Sequence, residues 1–150
     1  MSVRASAMQD RLRKIVHVTS VHRPFDVRIF EKQCKSLAAD GLEVVLVATT
    51  DHDAERDGVS IVALKARRGR WSRMTLTAFE AFRHAWRQRG DVTQIHDPEL
   101  LPWALILRML GRTVVYDMHE NVPKDILDKT WLPALLKRPV VWSMRVVERL

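Results

Sequence analysis

"KIVHVTSVHRPFDVRIFEKQCKSLAADGLEVVLVATT", from Lys14 to Thr50, decides the fold class. Lys14 to Ser20 is a short run rich in β-branched residues, and "VHRPFD" after it carries a proline and no helical spacing. That pattern predicts a buried strand and the loop at its carboxyl end. From Val27, the apolar positions Ile29, Phe30, Cys34, Leu37 and Ala38 recur at helical spacing. Asp26 stands where a cap is expected, and Gly41 where a helix stops. Leu42 to Thr50 is then almost continuously apolar, as in a strand covered on both faces. Strand, helix and strand in so few residues imply a right-handed parallel crossover.

The same alternation continues downstream. "DHDAERDG" predicts a polar turn and "VSIVALK" a third strand. "RMTLTAFEAFRHAWRQRG" carries a helical stripe of Met74, Leu76, Ala78, Phe79, Phe82 and Trp86 ending at Gly90, and "VTQIH" is a fourth strand. "PELLPWALILRMLG" follows as a helix with Asp97 as cap, Pro98 in its first turn and Gly111 at its end, while Pro102 blurs its start by about a turn. "RTVVYDMH" is a fifth strand, and Pro123 opens further helix broken near Pro139. The expected fold is α/β, a Rossmann-like doubly wound parallel sheet.

The totals agree with one well-filled domain: 150 residues, 47% hydrophobic and 29% charged. A single cysteine, Cys34, excludes a disulfide framework and a cysteine metal site, and favours a reducing, cytoplasmic compartment. The polar segment 1–13 has no secretory h-region, and no stretch approaches the roughly 20 apolar residues of a membrane span. The net charge is +7, concentrated in "LKARRGRWSR", where Lys65, Arg67, Arg68, Arg70 and Arg73 surround Trp71 with no acid among them. That stretch suits an anionic membrane surface or another phosphate-bearing partner, and equally a solvated connector.

In open parallel sheets, ligands lie beyond the carboxyl ends of the strands, so chemistry is sought in three loops: Ser20 to Asp26, His96 to Glu99 and His119 to Pro123. No glycine precedes Gly41, so the glycine-rich signature of a nicotinamide or flavin site is missing. The first loop offers His22, Arg23, Asp26 and Arg28 for an anionic or polyhydroxyl ligand; the competing reading has Asp26 capping and Arg28 solvated. In "HDPELL", capping accounts for Asp97 and Pro98, which leaves His96 and Glu99 for other duties. In "YDMHEN", no capping rule asks for His119, which alternates onto one face with Asp117, followed by Glu120 and Asn121. Metal binding is not expected, since nothing in the spacing brings three or four ligands together, and there is no G-x-S-x-G elbow.

"KIVHVTSVHRPFDVRIFEKQCKSLAADGLEVVLVA" and "IHDPELLPWALILRMLGRTVVYDMHENVP" together resemble the amino-terminal domain of family 4 glycosyltransferases. The resemblance implies the amino-terminal, acceptor-side half of a GT-B fold over residues 14–150, ending before the donor-binding domain. "PVVWSMRVVERL" is still in helical register at Leu150, as in a longer protein. It implies a retaining transfer from a nucleotide-sugar, which is a substrate and not a cofactor, to a glycan or lipid-linked acceptor in cell-envelope polysaccharide synthesis. His119 would sit beside the donor sugar, His96 and Asp97 would line the cleft, and the E-x7-E motif and diphosphate-binding cations would lie in the second domain. It also places the basic stretch at the inner face of the cytoplasmic membrane, with no nucleic acid partner expected. The alternative from another class is a non-catalytic Rossmann-like module that binds a phosphorylated ligand or nucleic acid through Arg67 to Arg73.

Overall fold

In a computed structural model of the protein, residues 13–67 and 69–117 are described, apart from the side chains of Arg70, Arg73 and Met74. His119, Glu120, Asn121 and Arg68, together with the helical segments expected after Pro123, lie outside the described residues. Strand β1 (Lys14–Val18) leads into α1, whose Val27–Cys34 part is wound in wide π turns and whose Lys35–Ala39 part is α-helical. Next come β2 (Glu43–Thr49), β3 (Ala54–Arg56) and β4 (Val59–Leu64). Helix α2 is built of consecutive segments Arg70–Ser72, Arg73–Thr77 and Ala78–Gln88. After β5 (Val92–Ile95), a 3-10 turn at Pro98–Leu100 opens the α-helix Leu101–Met109, together α3, and β6 is Val114–Tyr116.

The strands form one six-stranded sheet in the order β3-β4-β2-β1-β5-β6, parallel except for β3. This is the expected Rossmann-like α/β architecture, with one correction. The segment read as a polar turn after β2 contains β3, which pairs antiparallel with β4 through Glu55 opposite Ser60. Asp57 and Gly58, with φ of 52° and 76°, make the tight turn between them, the backbone that an Asp-Gly pair favours in hairpins. All three β3 residues are exposed, and charged Glu55 and Arg56 on this edge discourage pairing with another chain.

Continuous apolar sequence in β2 places side chains on both faces of the sheet. Val44, Leu46 and Ala48 join Ile29, Phe30 and Cys34 of α1 and Val59 and Ile61 of β4 in one core. Val45 and Val47 point to the other face, where α2 packs against β1, β2 and β4. Each buried valine, leucine, isoleucine or phenylalanine among them is worth about 1.5–3 kcal/mol relative to its exposed state. At the end of α1, the Gly41 N–H donates to the Ala38 carbonyl and the Leu42 N–H to the Leu37 carbonyl, with Gly41 at φ 84°, as its position in the sequence foretold.

Gly90 has a different task from the helix stop expected of it. Arg89 takes the left-handed position that ends α2, at φ 51°. A Cβ on Gly90 would lie 2.6 Å from Val16 Cγ2 and 3.0 Å from the Val92 carbonyl oxygen, so the missing side chain lets the chain pass close to β1. The start of α3 also divides for a reason. Leu101 N–H closes a tight turn on the Pro98 carbonyl, because Pro102 has no N–H to close an α-turn there.

Chain order sets the place of the crevice. From β1 the chain moves outward to β2 and β4, and α2 then returns it across β1 to β5 on the other side. The connections therefore diverge at the carboxyl ends of β1 and β5, the topological switch point where such sheets bind ligands.

Candidate functional site

Backbone pairing brings the two loops together. Thr19 N–H donates to the Val47 carbonyl at 2.9 Å and His96 N–H to the Val18 carbonyl at 3.1 Å, so both strands end side by side. Thr19, Ser20, His96 and Asp97 are all buried there.

Asp97 organises the site. Its Oδ2 accepts from the Ser20 N–H at 2.7 Å and the Thr19 hydroxyl at 2.8 Å, with longer contacts from the Val21 N–H at 3.3 Å and the Ser20 hydroxyl at 3.4 Å. The expected helix cap is thereby corrected: Asp97 has extended cap-like backbone, but its side chain makes no capping bond to α3. The Thr19 and Ser20 donors at the end of β1 are buried and close, and charge-assisted bonds of this kind are the strong ones. Thr19 Oγ1 also accepts from the His22 N–H at 3.0 Å, which folds the loop back over the strand end.

The rim is built on this base. Ser20 donates its hydroxyl to Glu99 Oε1 at 2.7 Å, and Thr49 donates its hydroxyl to the Ser20 carbonyl at 3.2 Å. The His22 ring spans two carboxylates, with Nε2 3.5 Å from Asp97 Oδ1 and Nδ1 3.6 Å from Asp26 Oδ2. Asp26 caps α1 as the sequence indicated: its Oδ1 accepts from the N–H groups of Arg28 at 2.9 Å and Ile29 at 3.0 Å. Partial burial alone would push the Asp26 carboxyl up. The two backbone bonds and the charges of His22 and Arg28 outweigh it and hold Asp26 below its ordinary value. The first turn is wide because the Asp26 carbonyl accepts from both Phe30 and Glu31 N–H groups, at 2.8 and 3.3 Å.

Beneath the rim, His17 Nδ1 and His96 Nε2 lie 3.0 Å apart with nearly parallel rings, both buried. Such a spacing holds one proton between two nitrogens and fixes His96 against β1, behind the crevice. Outward, Arg23 is exposed and Arg28 half-buried on the first turn of α1. Phe25 meets Phe30 edge to face at 5.2 Å, and the Arg56 guanidinium lies 4.7 Å from its ring centre, which ties the loop to the β3–β4 hairpin. Cys34 is no nucleophile: burial pushes its thiol up to about 12.

Comparison with known families bears on the same crevice. A model of the glycosyl transferase 4-like domain matches residues 27–150. The chain belongs to that family. Among curated proteins, none matches the chain. As a glycosyl transferase 4-like domain it carries the amino-terminal half of the GT-B architecture, and the match takes in the β5–α3 loop. The β1–α1 loop up to Asp26 precedes the matched residues, so its place at the site comes from the sheet topology.

In this glycosyl transferase 4-like domain, the structure gathers His22, Asp26, Asp97 and Glu99 at one strand end, with His96 buried behind them. Arg23 and Arg28 flank the same loop, whereas His119, Glu120 and Asn121 lie outside the described residues. Of the basic stretch, Lys65 and Trp71 are exposed, and Arg67 is drawn to Glu80 at 2.6 Å, so its charge is matched within the fold. Arg68 and the side chains of Arg70 and Arg73 are outside the description. Sequence reasoning passed over His17 and Thr19, and took Ser20 only as the first residue of a candidate loop. Their signal was there: polar residues placed inside, and at the carboxyl end of, an otherwise apolar strand. Among the described residues, no group of three or more His, Cys, Asp or Glu side chains converges as a metal site, and no helix is long and apolar enough to cross a membrane.

Proposed function

We propose that this chain is the acceptor-side domain of a retaining glycosyltransferase. In this reading it moves a sugar from a nucleotide-sugar to a glycan or lipid-linked acceptor in cell-envelope polysaccharide synthesis, on the cytoplasmic side of the membrane. One observation carries the reading: the switch-point crevice of a glycosyl transferase 4-like domain is rimmed by Ser20, His22, Asp26 and Glu99, hydroxyl, imidazole and carboxylate groups that bond sugar hydroxyls. The domain works with a donor-binding domain that holds most of the nucleotide-sugar and the cations for the departing diphosphate, so residues 1–150 alone fold without turning over. In this reading His119 hydrogen-bonds a hydroxyl of the donor sugar beside the reacting carbon.

A transfer assay with a panel of nucleotide-sugars and extracted lipid-linked acceptors tests this reading on the protein together with its donor domain. Turnover that falls at least a hundredfold in His119→Ala is the expected result. Unchanged turnover removes His119 from the reaction. The anomeric configuration of the product, read by proton NMR, separates retention from inversion.

The exposed side chains of Trp71, Leu76 and Phe79 on α2, and exposed Lys65 before it in sequence, support a peripheral contact with anionic lipid. Each cation near such a surface contributes on the order of 1 kcal/mol. Co-sedimentation with phosphatidylglycerol but not phosphatidylcholine vesicles is expected, and equal recovery with both lipids rejects the contact.

A further inference from the structure

Two consecutive N–H groups at the end of β1, those of Ser20 and Val21, converge on a single oxygen, Asp97 Oδ2. Consecutive N–H groups aimed at one point form an anion seat, and at the switch point of a doubly wound sheet that seat ordinarily receives a phosphate of the ligand. Here the anion comes from the protein. Asp97 arrives from the β5–α3 loop, 77 residues away in sequence, and only 3% of its surface is exposed.

The surroundings reinforce the substitution. Asp26 and Glu99 add two more carboxylates around the first loop, which Arg23 and Arg28 also flank, so at the seat itself an entering phosphate meets a carboxylate oxygen where it needs donors. His22 lies between Asp26 and Asp97, and its ring is already shared by both. Sugar hydroxyls, which both donate and accept, suit such a rim.

We propose that Asp97 is a specificity-determining positioning residue: its carboxylate fills the anion seat of the β1–α1 loop, so the crevice takes an uncharged polyhydroxyl part of the acceptor and rejects a phosphate there. The proposal rests on the crevice being the acceptor side of the transfer reaction, and it decides between the hydroxyl and phosphate contacts that the first loop could make. Asp97 acts through the loop and touches no reacting atom.

The test is a titration of the isotopically labelled 150-residue chain with inorganic phosphate at constant ionic strength, read at the Ser20 and Val21 amide signals. In the wild type those signals stay in place. Asp97→Ala removes both the charge and the oxygen that occupies the seat, and its Ser20 and Val21 signals move saturably as phosphate fills it. Saturable movement in the wild type overturns the proposal, as does a folded Asp97→Ala chain that remains blind to phosphate, since a merely structural aspartate predicts that outcome. Should Asp97→Ala fail to fold, Asp97→Ser, whose shorter side chain also withdraws the carboxylate from the seat, carries the same titration with the same two outcomes. The readout involves no sugar transfer, so failure of the seat is distinguishable from failure of the glycosyltransferase reading, which the transfer assay measures.

Discussion

Replacing Asp97 with alanine exposes how much the site depends on one buried carboxylate. The side chain is 4% exposed, so solvent neither screens its bonds nor replaces them readily. Two of its contacts are short, the Ser20 N–H at 2.7 Å and the Thr19 hydroxyl at 2.8 Å, and two are long, at 3.3 and 3.4 Å. A hydrogen bond to a charged group contributes roughly 1.5–3 kcal/mol, and a buried donor left unpaired costs about 1–3 kcal/mol. The Thr19 hydroxyl can rotate toward another acceptor, but the Ser20 N–H cannot, so the expected loss is about 2–5 kcal/mol. Urea unfolding followed by far-ultraviolet circular dichroism measures it, with the denaturant slope unchanged if only the folded state is affected. Asp97→Asn, which keeps an accepting oxygen, should lose less than half as much. A loss below about 1 kcal/mol in Asp97→Ala would refute the view that these bonds hold the two loops together.

Two further outcomes follow from the geometry. Gly90→Ala puts a methyl group 2.6 Å from Val16 Cγ2 on a buried strand, and thermal unfolding should show a loss of about 1–3 kcal/mol from overpacking; an unchanged melting temperature would mean that β1 yields there. Asp26→Ala removes the cap of α1 at a cost of about 1 kcal/mol at neutral pH. Since the folded-state value of Asp26 lies below its ordinary one, its charge stabilises fully above about pH 4 and progressively less as pH falls through the folded value. The gap between wild type and Asp26→Ala, measured by urea unfolding across the acid range, should therefore narrow below pH 4; a gap that widens there contradicts the assigned cause.

Most of the fold was legible because its signals are local and repeated. The apolar spacing of α1, the continuous run of β2, the cap at Asp26 and the stop at Gly41 each announce an element without reference to distant residues. β3 was lost because three exposed residues show no apolar-polar alternation, although Asp57-Gly58 carried the turn signal. The role of Asp97 was misjudged for a related reason. Its position before Pro98 satisfies a local capping rule, and only the pairing of β1 with β5 reveals the donors at Thr19 and Ser20 that it bonds instead. The same pairing explains His17 and His96, whose 79-residue separation hides their contact. Gly90 teaches the converse: a glycine near a helix end invites the stop reading, but close passage past Val16 is what forbids a side chain.

Steady-state kinetics of His22→Ala, in the protein with its donor domain, bears most directly on the placement of the acceptor at the ends of β1 and β5. The KM for the acceptor should rise about tenfold, equivalent to about 1.4 kcal/mol of lost contact, while the KM for the nucleotide-sugar stays at its wild-type value. A raised KM for the nucleotide-sugar with an unaltered KM for the acceptor would place the donor, and not the acceptor, in this crevice.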